Sequence, residues 1–178
     1  AFAAVVINEL NYNPADTTNA TEFIELCNDS AAAVDVSGWW FSAGIDFVFP
    51  AGSVVPAGGF AVIARTPGAF AITYPNVTNV YGPFLFDSKL KNEGELLALN
   101  VATGGVMSEV TYSPAPPWPA AANGHGASLE LLHPSLPISA AHCWASSSVA
   151  GGTPGAPNSV LLPLPAIIDN GATPLSPA

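Results

Sequence analysis

The chain has 178 residues, enough for one well-filled core with tails and too few for two ordinary domains. Its 13 acidic residues stand against three basic ones, Arg65, Lys89 and Lys91, for a formal charge of -10. That sign repels phosphate backbones and anionic headgroups, which excludes nucleic acid and acidic membranes as natural partners.

No run approaches the roughly 18–20 apolar residues of a membrane-spanning helix, so no membrane insertion is expected. Ala1 and Phe2 lead into strand-like sequence without a basic leader, as in a mature secreted chain. Helical periodicity is nearly absent, and short apolar runs punctuated by Gly, Pro, Asn and Asp predict an all-β fold. In chain order the strands fall at about residues 5–11, 22–28, 34–41, 46–49, 59–64, 95–100, 105–112 and 128–132. The connection 66–92 has room for one more near 78–85. Eight or nine such strands make two facing sheets.

Within 22–28 the two-residue period puts Phe23, Glu25 and Cys27 on one face and Glu22, Ile24 and Leu26 on the other, so one of the glutamates should lie close to the core. Adjacent Trp39 and Trp40 likewise point to opposite sides, one inward and one outward. From Ser146 onward the pattern fades into a Gly- and Pro-rich stretch, a domain edge. The domain is therefore expected over residues 1–159, followed by an apolar, proline-broken tail over 160–178. Val160, Leu161, Leu162, Leu164, Ile167 and Ile168 make that tail too apolar for a solvated linker.

Only 9% of residues are charged, against about 25% in a typical soluble domain. Three Asn-x-Ser/Thr sequons, at Asn19, Asn28 and Asn76, supply an answer, since glycans there would confer the missing solubility. Cys27 and Cys143 form an even pair far apart in sequence, which in a secreted protein suggests one disulfide; two buried free thiols are the alternative. A bridge closing that loop would contribute about 4–5 kcal/mol.

Several segments in order resemble the lamin-tail domain as it occurs in secreted microbial and algal proteins. They are 6–14, 22–28, 36–39, 49–52, 56–65, 90–99, 110–112, 117–119, 126–131 and 152–158, and it is their order over residues 4–159 that carries the match. The resemblance implies an immunoglobulin-like sandwich that is generally without an active site of its own. The rod that carries filament formation in lamins is not part of this sequence. Cys27, Cys143 and the apolar tail depart from the family pattern.

Catalytic chemistry has little to build on. His125, His133 and His142 read as turn or loop residues, and Gly126-Ala127-Ser128-Leu129-Glu130 lacks the second glycine of a nucleophile elbow. No cofactor is expected. A metal is not expected either: no Asp-x-Asp-x-Asp-Gly loop exists, and the one oxygen-rich option joins Glu9 to Glu22 or Glu25. The expected function is a non-catalytic extracellular interaction module whose tail assembles it with copies of itself or with another extracellular protein. The alternative is a polysaccharide-binding module in which Trp40 or Trp118 stacks on a sugar ring.

Overall fold

The computed structural model describes residues 5–16 and 20–163. Among the described residues eleven strands carry the fold: β1 Val5–Asn11, β2 Phe23–Asn28, β3 Val34–Asp35, β4 Trp40–Ala43, β5 Val54–Val55, β6 Phe60–Ala64, β7 Val80–Tyr81, β8 Glu95–Asn100, β9 Val106–Tyr112, β10 Leu129–Leu131 and β11 Trp144–Ser146. Six of them form the main sheet in the order β11-β10-β1-β2-β6-β7. A second sheet is β4-β8-β9, and β3 pairs with β5 alone. The two larger sheets enclose the core, in which Ile7, Leu10, Ile24, Leu26 and Ile63 from the main sheet meet Phe41, Leu97, Leu99 and Val110 from the second. Ile7 N–H donates to Ser108 Oγ at 3.0 Å, which joins the layers where β9 passes β1. The all-β sandwich expected from the sequence is the fold observed.

The expected strands at 22–28, 59–64, 95–100 and 105–112 agree to within a residue at each end. The run 34–41 is divided into β3 and β4 by a turn at Gly38, whose φ of 71° belongs to the left-handed region that glycine enters without penalty. Residues 46–49 form no strand; they meet the start of β4 through the bridge between Trp40 and Val48 and through backbone hydrogen bonds of Phe47 and Phe49 with Phe41 and Trp39.

The connection after β6 holds a helix that strand periodicity does not reveal. Helix α1, Pro67–Thr73, begins with proline at a position where no backbone N–H is required. It buries Phe70 edge-on against Phe23, ring centroids 5.6 Å apart. After this crossover the chain enters β7, which runs parallel to β6.

Every residue of β1 and β2 is buried. A plain two-layer sandwich would leave the outer face of the main sheet to water. Here α1 covers one part of that face, through Phe23, Val62, Ala64 and Phe70. A strap formed by residues 151–163 covers the rest.

Candidate functional site

The strap lies on a row of three glutamates. β1 and β10 place Glu9 opposite Glu130, and β1 and β2 place Glu9 opposite Glu25, so the three carboxyls occupy neighbouring strands at one level. Directly opposed side chains in such a sheet stand about 4.5–5.5 Å apart at Cβ. All three are 0% exposed. Between Ile7 and Glu9 the register shifts, leaving Asn8 as the extra residue of a bulge. The bulge lets Asn8 and Glu9, consecutive in sequence, both bond to the strap.

The strap meets the row with hydrogen-bond donors. Thr153 N–H donates to Glu9 Oε1 at 3.1 Å, and Gly155 N–H to Glu25 Oε2 at 2.5 Å. Glu130 accepts from Thr153 Oγ1 at 2.9 Å, Ser159 Oγ at 2.8 Å and Val160 N–H at 3.2 Å. Asn8 Nδ2 donates to Glu25 Oε1 at 2.9 Å and to Asn158 Oδ1 at 2.8 Å. Glu9 Oε2 and Ser128 Oγ are buried without a hydrogen-bond partner. No basic side chain is among the row's partners in the described residues.

Burial without a counter-ion disfavours ionisation. The Glu9 carboxyl is pushed up to about 8, chiefly by burial and further by the charge of Glu130. Glu25 is raised well above the ordinary carboxylate range by burial and by Glu9 beside it.

Glu22 is buried as well, so both glutamates of the β2 segment lie inside, where the sequence pattern calls for one. It belongs to a different site: Glu22 Oε1 accepts from Arg65 Nη1 at 2.8 Å, and its Oε2 from Leu90 N–H at 3.0 Å. The calcium option of Glu9 with Glu22 is thereby removed. For Glu9 with Glu25, the strap aims N–H groups at the carboxyls where a cation would need oxygens. Among the described residues no set of three His, Cys, Asp or Glu side chains is arranged to hold a metal ion.

The other expected site residues are dispersed. Cys27 and Cys143 are both buried free thiols, which corrects the expected disulfide. Cys27 lies on β2 and Cys143 immediately precedes β11, with β10 and β1 between them. Three strand spacings amount to about 14 Å, whereas a disulfide needs Cα atoms within about 7 Å. Burial and the nearby charges of Glu25 and Asp29 push the Cys27 thiol up to about 12, far from nucleophilic.

The sequon at Asn28 also requires correction. Asn28 is 0% exposed, and Nδ2, the atom a glycan would occupy, donates to the carbonyls of Ala32, Val55 and Pro56 at 2.8, 3.1 and 2.9 Å. Asn76 is exposed, and Asn19 lies outside the described residues. Of the paired tryptophans, Trp39 is 7% and Trp40 40% exposed, the inward and outward members expected. Trp118 is half-buried against Trp144, centroids 6.2 Å apart, and packs on the core.

The stretch read as a domain edge is the strap itself. Its bonding continues into the tail, for Leu162 N–H donates to Leu132 O at 2.8 Å. Val160 is half-buried, Leu161 and Leu162 are exposed, and Leu164, Ile167 and Ile168 lie outside the described residues. No helix among the described residues is long and apolar enough to cross a membrane.

Sheets, core and covered outer face define an immunoglobulin-like β-sandwich. The chain belongs to the Lamin Tail Domain family, which matches residues 1–114. That stretch includes Glu9 and Glu25 and ends before β10, so Glu130 and the strap lie beyond the matched part. No curated protein matches the chain.

Proposed function

We propose that this domain is a non-catalytic extracellular interaction module, and that the apolar segment following the strap joins it to a second copy or to another protein. The family supports a role in interaction. The observation that carries the reading is the strap's exit: Leu161 and Leu162 are 44% and 49% exposed at the point where the chain leaves the sheet. The sequence beyond them continues as Pro163-Leu164-Pro165-Ala166-Ile167-Ile168. An apolar sequence of this kind suits addition to a sheet edge of a neighbour, with the prolines confining it to edge positions.

Truncation after Pro163 keeps the whole bonded strap and removes only the proposed contact. The full chain is expected to form particles larger than a monomer at micromolar concentration and the truncated chain to be monomeric. Identical sizes by light scattering would sink the proposal. The extracellular setting rests on the low charge and on the exposed sequon at Asn76, and peptide mapping for a glycan on Asn76 in protein from its natural source tests it.

A second reading has its own support. Trp40, 40% exposed on β4, is bridged to Val48, 53% exposed, and pairs with Asn100, which pairs in turn with Val106, 54% exposed. A flat aromatic face near the exposed Ser42 hydroxyl suits a pyranose ring. Titration of tryptophan fluorescence with neutral glycans, and loss of the response in Trp40→Ala, is the expected outcome for this role. An unchanged spectrum for every glycan would eliminate it.

A further inference from the structure

Residues 150–163 contain no ionisable side chain, yet they are fastened to the sheet through three carboxyls. Five donors from the strap end on Glu9, Glu25 or Glu130. At the strap's start, Gly151 N–H donates to Gly126 O at 2.7 Å, and Tyr74 Oη donates to Gly151 O at 2.8 Å. The strap forms no ladder, whereas the glutamates sit on β1, β2 and β10, inside the main sheet. When charge has to be hydrated in the row, the strap is the cover that can lift without breaking a strand ladder.

The geometry points to a proton-gated latch: while Glu9 and Glu25 are protonated the strap stays closed over the row, and losing those protons opens residues 151–163 without unfolding the sandwich. Two features beyond the acidic cluster support it. Glu9 Oε2 and Ser128 Oγ are buried, face no partner, and lie where the strap crosses. An ionised Glu9 would be a buried anion with only the Ser128 hydroxyl and the Thr153 N–H to donate to it, beside two more carboxyls and with no cation among the row's partners in the described residues; a proton on Glu9 removes that charge.

The strap also lies close against the row. A side chain at Gly152 would collide with Glu9 Oε1 and Ser128 Oγ. The latch does not depend on what the residues after Pro163 bind.

Other titratable groups near the strap are accounted for. Tyr74 and Cys27, pushed up to about 12, keep their protons through the neutral range. His133 and Asp29 line a cleft shared with Pro157, Asn158 and Leu161. Asp16 lies near Gly151, and His125 precedes the carbonyl that Gly151 bonds. Glu22 faces Arg65 and Leu90, away from the row.

Hydrogen–deuterium exchange on the full chain between pH 5 and 8, corrected for intrinsic rates, tests the latch. Opening of residues 151–163 is expected to rise with pH, by up to about tenfold per unit for each proton released, while β2 and β6 stay far better protected than the strap at every pH. Glu9→Gln with Glu25→Gln, which keeps the shape and removes the protons, is expected to flatten the rise. His133→Gln is expected to leave it intact.

Constant strap protection in the wild type overturns the latch, and so does strap exchange that is no faster than that of the sheets at every pH. A rise that survives the double substitution or vanishes in His133→Gln overturns it equally. Should the double variant not fold, the wild-type comparison of strap with sheets decides the matter by itself.

Discussion

Asn8 and Asn158, 150 residues apart in sequence, exchange side-chain hydrogen bonds in the interior: Asn8 Nδ2 donates to Asn158 Oδ1 at 2.8 Å and Asn158 Nδ2 donates back to Asn8 Oδ1 at 3.2 Å. Asn158 Nδ2 also reaches the carbonyls of Leu131 and Asn8, at 2.7 and 3.1 Å. One amide thus secures the strap to both β10 and the β1 bulge.

Asn158→Ala removes these bonds and leaves buried acceptors unpaired. A loss of about 3 kcal/mol is expected, since each orphaned buried group costs roughly 1–3 kcal/mol. Urea denaturation gives the value; a change below about 0.5 kcal/mol would show that the pair contributes nothing.

Gly152 has φ of 86° and no room for a Cβ against Glu9 and Ser128. Gly152→Ala is expected to displace the strap and to destabilise the domain by about 2–4 kcal/mol, combining left-handed strain with overpacking. Gly52→Ala is the control, because Gly52 also has positive φ, 82°, but nothing within 4 Å of its Cβ position. A loss there as large as at Gly152 would assign the whole effect to backbone strain.

Stability is expected to fall as pH rises through the neutral range. Below about 4.5 both folded and unfolded chains hold the Glu9 proton. From there to about 8 only the folded chain holds it, so deprotonation favours unfolding, and beyond about 8 the contribution is lost. Glu25 acts in the same direction. A decrease on the order of 3 kcal/mol between pH 5 and pH 8 is expected from the urea midpoint. A midpoint that rises over that interval contradicts the protonated row.

Two thiols enclosed in the folded chain should escape a thiol reagent until the protein unfolds. Ellman titration is expected to find no fast-reacting thiol in native protein and both in denaturant, with thermal stability unaffected by reductant. Absence of thiols in the denatured, unreduced chain would restore the disulfide.

Much of the main frame was legible in the sequence, because period and turn residues act locally. Alternation along 22–28 assigned Ile24 and Leu26 to one side and Phe23, Glu25 and Cys27 to the other, and ordered motifs carried the family. Helix α1 was hidden because seven residues with a single buried anchor, Phe70, make too short a period to register. The strap was hidden because Gly- and Pro-rich sequence follows no period at all.

What the sequence determined by itself was the set of longer strands, the acidic sign of the net charge and the burial of a glutamate on β2. Only the tertiary structure decided which strands are neighbours. That choice gathered Glu9, Glu25 and Glu130 into one row, set β10 and β1 between the two cysteines, and turned a sequon asparagine inward. The physical reason is range: a side chain's face follows from its own strand, but its neighbours follow from packing between segments more than a hundred residues apart.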